Sequence, residues 1–275
     1  MILETKSDSA LYRFRQLSAV TGITHFVSTR KGGVSVDSYS TLNLGFHTGN
    51  NERHVLANRK ILSRLTGIPL ESLTAGQQVH SDNIVVVDET LKGHGATSYE
   101  SGVPKTDGLV TNVPNICLIV LVADCVPLLF CDPREKVVGI AHVGRKGITN
   151  QISRKMVQIF RGAFHCVNED IRVGIGPSIS AKYYLIRKDQ VEDLRPSLPE
   201  ATKSLKVTDL EIFFDLRIAT IEQLLLEGIP AGNIEPSGLC TYHNKAMFYS
   251  ERRDGRPTGR FCAGIMLTPH SLISP

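Results

Sequence analysis

The 275-residue chain contains no tryptophan, and aromatic residues make up only 6% of it. That scarcity argues against the stacking platform on which single-strand nucleic-acid binders hold bases. Charge of either sign is not in large excess: 31 Lys and Arg against 27 Asp and Glu leave +4. This is too weak for a nucleic-acid or membrane footprint, though a small anionic ligand fits it. Long apolar runs are missing too. The longest, Ile116 to Ala123, falls far short of the roughly 20 residues of a membrane span. The N-terminal MILETKSDSALYRFRQ carries no apolar signal segment, so the expectation is a cytoplasmic protein. No repeat, low-complexity tract or linker divides the chain. It reads as one domain over residues 1–275, with 1–20 as a peripheral N-terminal segment.

Common chemical motifs are absent as well: no Walker A sequence, no Gly-x-Gly-x-x-Gly opening a helix, no His-Glu-x-x-His and no nucleophile elbow. Nucleotide-hydrolysing and dinucleotide enzymes of the usual kinds recede accordingly. Six cysteines without a signal segment or an Asn-x-Ser/Thr sequon do not imply a disulfide framework. Cys117, Cys131, Cys166 and Cys262 lie in or beside apolar runs and read as small buried hydrophobes. Cys125 and Cys240 stand apart from that pattern.

What is present is a mixture of short elements. ITHFVSTR (Ile23 to Arg30), IVVVD (Ile84 to Asp88), ICLIVLVAD (Ile116 to Asp124), PLLFCD (Pro127 to Asp132), VVGIAHV (Val137 to Val143), Ile171 to Ile175 and Gly259 to Leu267 read as strands. Glu52 to Gly67 reads as a helix with Val55, Leu56, Ile61, Leu62 and Leu65 on its apolar face; Ile148 to Phe164 and Glu211 to Gly228 read as two more. Strands and helices do not alternate regularly, and DPREK is short enough for a hairpin. The expected class is α+β with a mixed sheet rather than a doubly wound parallel fold.

Three chemically unusual residues end strand-like segments: His80 in QQVHS, Cys125 in VADCVPLLF and His142 in GIAHVG. In a hairpin of PLLFCD and VVGIAHV, facing residue numbers sum to about 267 or 268. Cys125 is then opposite His142 or one residue out of register, close enough for a shared metal or a thiolate-imidazolium pair. Pro127 suits an edge or a bulge. One thiolate and two imidazoles are a good donor set for Zn²⁺; a metal-free Cys/His nucleophilic site and a structural role remain open. Nothing local ties His80 to the hairpin. Asp124 could orient a histidine, accept a substrate proton or cap a turn, and Asp107 in KTDGLVT is most simply a turn residue before a strand. Arg30, Lys31, Gly32 and Gly33, followed by Asn43, Gly45, His47 and Gly49, form either an anion cradle or two solvated turns. RRDGRPTGR (Arg252 to Arg260) reads as a solvated turn or as a source of an arginine for an anionic substrate.

STRKGGVS, YSTLNLGFHTGN, NRKIL, QQVHS, TDGLVT, ADCVPLLFCDP, GIAHVGRKG, GPSIS, LCT and FYSERRDGRPTGR, in this order from about Phe26 to Leu267, resemble the multicopper polyphenol oxidoreductase or laccase-domain family, also described as purine nucleoside phosphorylases. The resemblance implies a single α+β domain, mixed sheets flanked by helices, of the YfiH-like kind grouped with bacterial toxin-like cysteine hydrolases. It implies zinc, with copper a lesser alternative, on His80, Cys125 and His142. It implies phosphorolysis of adenosine, inosine and methylthioadenosine and deamination of adenosine, with Cys125, His80, His142 and Asp124 as the catalytic set. Phosphorolysis requires an anion pocket near the ribose, for which the Arg30 turn, with Asn43 for the sugar or base, is the candidate; Lys146 is a further substrate-binding candidate. An amidase editing cell-wall peptidoglycan precursors, and a weakly active paralogue with a structural zinc and a binding role, are the other functions the resemblance allows. The implied partners are a small nucleoside and phosphate, with neither nucleic acid nor membrane, for a monomer or homodimer. Four positions depart from the family pattern: Arg145 and Lys146 replace Trp-Arg after His142, Glu251 replaces a Tyr, and Tyr184 replaces an acidic residue.

Overall fold

Residues Cys117–Val122, Val126–Asp132 and Val137–Val143 are each buried from end to end, as strands covered on both faces must be. The computed structural model describes residues 1–6 and 8–269. Its strands in chain order are β1 (Ile2–Lys6), β2 (Ser9–Arg13), β3 (Ile23–Ser28), β4 (Leu73–Ala75), β5 (Ile84–Val86), β6 (Gly108–Thr111), β7 (Cys117–Val122) and β8 (Val126–Asp132). They continue with β9 (Val137–Val143), β10 (Arg172–Ile175), β11 (Leu185–Ile186), β12 (Leu205–Val207), β13 (Ile212–Phe214), β14 (Ile234–Pro236) and β15 (Phe261–Leu267). The helices are α1 (Arg15–Ser18), α2 (Glu52–Thr66), α3 (Arg145–Thr149), α4 (Ile152–Phe164), α5 (Lys188–Leu194), α6 (Leu216–Leu226) and α7 (Glu251–Asp254). None is long and apolar enough to cross a membrane among the described residues.

Two six-stranded sheets run β1-β2-β3-β15-β7-β4 and β14-β10-β8-β9-β6-β5, with a small β11-β13-β12 sheet beside them. Parallel pairs (β4 with β7, β5 with β6, β10 with β14) sit among antiparallel ones, so the sheets are mixed, as expected. Alternation along β8 builds the layers. Leu128 and Phe130 point to the apolar faces of α4 and α6, while Leu129 and Cys131 meet β7 and β15 between the sheets. Phe26, Cys117, Ile119 and Cys262 face outward from the first sheet onto α2. Both sheets are therefore covered on both sides, and their strands read as apolar runs rather than alternating ones. Cys117, Cys131, Cys166 and Cys262 are buried free thiols.

Several expectations need correction. The segment Glu211 to Gly228 is not one helix: Ile212–Phe214 pairs with β11 and β12. α6 starts only after Asp215, whose carboxylate accepts the N–H groups of Arg217 and Ile218 and closes the first turn. The expected Ile148 to Phe164 helix is interrupted at Gln151, which has φ 60°. In the β8–β9 hairpin facing numbers sum to 269, with Asp132 opposite Val137 and Pro127 opposite His142. The loop is four residues, and Asp132 Oδ1 accepts from Arg134 and Glu135 N–H within it. Pro127 is not on an edge strand. β8 lies between β10 and β9, and the proline stands one residue past the end of the β10 ladder, where no partner strand asks for its missing N–H. The first twenty residues divide: β1 is the exposed edge strand of the first sheet, whereas Phe14 and Leu17 beyond β2 are buried in the core.

Candidate active site

One end of the sandwich gathers two loops and the end of β9. The first follows β4 and carries His80 at φ 61°, a region that non-glycine residues occupy only when their surroundings hold them there. Asp107, just before β6, does the holding. Its carboxylate accepts from the N–H groups of Val79, His80 and Ser81 at 3.1, 3.1 and 2.7 Å and from the Ser81 hydroxyl at 2.8 Å. The same carboxylate lies 2.8 Å from His142 Nδ1, and the Asp107 carbonyl accepts the His142 N–H. One buried aspartate thus fixes both histidines. With Nδ1 engaged, the other ring nitrogen of His142 is left for a ligand or a reaction partner.

The second loop joins β7 to β8. Asp124 there has φ 98°; its carboxylate accepts from Thr241 Oγ1 at 2.6 Å and Arg252 N–H at 2.7 Å, tying the loop to the segment after β14 and to α7. Asp124 touches neither histidine of the site by these bonds; it staples the loop that presents Cys125. The Cys125 Sγ is 3.9 Å from His80 Nε2, and the His80 and His142 rings meet edge to face at 4.7 Å between centroids. One ligand atom from each of His80, Cys125 and His142 lies within 4.8 Å of the others. Gly144 completes the arrangement by lacking a side chain, since a Cβ there would stand 2.9 Å from Cys125 Sγ and 3.2 Å from His80 Cδ2.

Electrostatics matches the geometry. Burial pushes the Cys125 thiol up, but the His142 and His80 imidazoles outweigh it and bring its pKa down to about 6. Burial disfavours charge on His142, yet Cys125 and the Asp107 hydrogen bond raise it to about 9. Asp107, despite burial, is held at about 2 by His142 and Ser81. The donors fit a divalent transition metal: bond lengths of about 2.3 Å to sulfur and 2.05 Å to nitrogen in a tetrahedral site separate S and N by about 3.6 Å. The Cys125–His80 pair needs to close by only a few tenths of an ångström to reach that. A carboxylate behind a ligating histidine is the usual outer support of such a centre.

Above the three residues is a cleft of about 540 Å³, with Arg252, Arg256 and Arg260 on one wall and His47, Gln78 and Tyr184 on others. Residues 24–268 match the family described as multi-copper polyphenol oxidoreductase laccase. The chain belongs to that family.

This member of the laccase family is 36% identical, over 249 residues covering 90% of it and 89% of the relative, to purine nucleoside phosphorylase YlmD of Geobacillus stearothermophilus. It is 29% identical over 250 residues, 90% of this chain and 95% of the other, to adenosine deaminase RL5 from an unknown prokaryotic organism. The crystal structure of YlmD from Geobacillus stearothermophilus superposes with a TM-score of 0.92 at 32% identity, covering 98% of this chain and 99% of that one.

Other residues singled out in the sequence lie elsewhere. Arg30 is outside the cleft lining: its guanidinium donates to the Ser40 carbonyl and stacks 4.4 Å over the Tyr249 ring. Asn43 is fully buried behind the wall, where its side-chain oxygen accepts the N–H of Arg260 at 2.8 Å and of Gly45 at 3.1 Å. It therefore acts on the cleft through Arg260. Lys146 is exposed on α3, and Arg145 turns to Asp193 at 3.6 Å. The Arg252 to Arg260 stretch, read mostly as a solvated turn, supplies the cationic wall instead. Glu251 sets it, accepting from Arg256 Nε at 2.8 Å and Arg260 Nη2 at 2.6 Å. Asp107 was not visible as a site residue, because Thr-Asp-Gly before a strand is an ordinary turn sequence.

Proposed function

We propose that the protein is a zinc-dependent purine nucleoside phosphorylase that also deaminates adenosine. The observation that carries this is the convergence of His80, Cys125 and His142 beneath a cleft walled by arginines; the names of the relatives favour nucleoside chemistry over the amidase reading. A single thiolate with two imidazoles suits zinc. When bound, zinc supplies Lewis acidity and activation of water near neutral pH.

The cleft lies within the usual few hundred to about 1,000 Å³ of small-molecule pockets. In phosphorolysis a phosphate oxygen bonds to the anomeric carbon as the bond from that carbon to the purine nitrogen breaks. The electron pair leaves with the base, which takes a proton from solvent. Guanidinium groups on the wall attract the phosphate and screen its charge as it approaches. Tyr184, whose hydroxyl burial pushes up to about 12, stays protonated and offers a donor to the substrate. Asp107 fixes the orientation of the His142 ring through Nδ1 throughout, and Cys125 enters the site as a thiolate.

The test is incubation of the purified protein with adenosine, with and without phosphate, resolving adenine from inosine. Adenine that appears only with phosphate, alongside phosphate-independent inosine, is expected. Cys125→Ala should lower both by more than about 100-fold, the upper end for loss of a mere outer-shell partner, and purify without stoichiometric zinc. Neither product from zinc-loaded wild type would sink the reading.

A further inference from the structure

α2 buries an unusual stripe: Val55, Asn58, Arg59 and Leu62, spaced at one helical face. Asn58 is satisfied, accepting from Val34 N–H and donating to Ser35 Oγ and the Asn43 carbonyl. Arg59 is not. It is 2% exposed, it donates Nε to the Leu44 carbonyl at 2.8 Å, and its Nη1 has no partner. Among the described residues no carboxylate pairs with it. Three buried carboxylates behave differently, with Asp107, Asp124 and Asp215 each accepting on both oxygens; Asp132 accepts twice at Oδ1 and leaves Oδ2 without a partner. The two thiols in electrostatic reach, Cys117 and Cys262, are pushed up by burial and stay neutral, so neither is a counter-charge. An arginine remains protonated in proteins, and a buried charge without a counter-charge is costly.

The cost has an outlet. Arg59 lines a recess together with Phe46, His47, Gln78, Tyr99 and Leu121. His47, Gln78 and Leu121 also line the main cleft, so the recess adjoins that cleft. At about 20 Å³ it holds one or two oxygen-sized atoms and no nucleoside. Its walls are stiff: the Gln78 amide is locked to both backbone groups of Leu121. His47, held down at about 4 by burial and by Arg260, is an uncharged imidazole at neutral pH. Glu251 shares its one negative charge between Arg256 and Arg260, and these partly exposed guanidiniums keep access to water; Arg59 differs in being buried, with the Phe46 ring 5.5 Å from its guanidinium carbon and no carboxylate partner among the described residues.

We propose that Arg59 and this recess are an oxyanion subsite, occupied by an oxygen of the inorganic phosphate co-substrate. The inference rests on the phosphorylase reading, but its test separates the two. Phosphate is titrated at constant ionic strength while thermal unfolding is followed in zinc-loaded wild type, Arg59→Lys and Arg59→Met; initial rates against phosphate are measured on the same proteins. Wild type should rise in Tm with phosphate, because a ligand that binds only the folded state stabilises it. Arg59→Met, freed of a buried charge, should begin at an equal or higher Tm and not rise, and its KM for phosphate should increase about 10- to 150-fold, the worth of a charged hydrogen bond. Arg59→Lys should recover part of the phosphate response. An Arg59→Met protein that gains Tm with phosphate as wild type does, or keeps the wild-type phosphate KM, overturns the subsite while leaving phosphorolysis standing. Phosphate stabilisation that depends on Arg59 in a protein that turns no nucleoside over supports the subsite and removes the phosphorylase reading.

Discussion

On the outer face of the second sheet, α4 presses Met156, Val157 and Phe160 onto Phe130 and Ala141, whereas α2 covers the first sheet with Asn58 and Arg59 set between Val55 and Leu62. The first cover is tight enough that Gly139 must lack a side chain: a Cβ there would stand 2.7 Å from Met156 Cε. Such packing contributes stability and little else. The second cover gives up apolar area to place an amide and a guanidinium inside the protein, and its guanidinium lines the recess that adjoins the cleft. The difference teaches that burial by itself does not mark a core position; whether the buried group has found its partners does.

That contrast can be broken in a graded way. The largest effect belongs to the apolar cover: Phe160→Ala should cost about 3–5 kcal/mol of unfolding free energy by urea titration while leaving zinc content and phosphate KM unchanged; a shift in either would couple α4 to the site. Next is a buried polar group with a single partner. His25 lies between the sheets, accepts the Phe14 N–H at 2.8 Å and is lowered from 6.5 to about 4 by burial, with help from Arg13. The unfolded chain takes up that proton near 6.5 and the folded one only near 4, so the contribution is complete above 6.5 and fades as pH falls through the interval. On the order of 3 kcal/mol should be lost between pH 7 and 4. His25→Gln, which keeps an acceptor and has no proton to gain, should flatten that part of the profile. Smaller again is Asp107→Asn, which keeps one acceptor oxygen for His142 but loses the second. Zinc affinity measured by chelator competition should fall about 10- to 100-fold, and an unchanged affinity would deny Asp107 its supporting role. The smallest change in stability is that of Arg59→Met, where a near-zero or favourable difference is the expected sign.

Much of the frame was legible. β9 ends where its apolar run ends, and α2 is bounded by Asn51, which accepts the Arg53 N–H, and by Gly67 at φ 73°. Such signals are local, so they survive in one dimension. The run EIFF misled because a strand of three residues beside a helix carries no periodicity of its own, and only pairing with β11 and β12 makes it one. The apolar face assigned to α2 misled more instructively. Leu56, Ile61 and Leu65 are only half-buried, and Asn58 and Arg59 took their place inside, because the loop backbone at Val34, Thr41 and Asn43 supplies hydrogen bonds that hydropathy cannot register.

From the order of residues alone came the α+β class, the apolar strands and the three ligand candidates, each resting on side-chain chemistry or short-range pattern. Which groups stand behind them was settled in three dimensions. Asp107 is 27 residues from His80 and 35 from His142, and Arg59 reaches the recess beside the cleft only because α2 closes over the first sheet. A carboxylate or a guanidinium reads the same in a solvated turn or helix face as in a core; its partners, brought by distant strands, decide what it does.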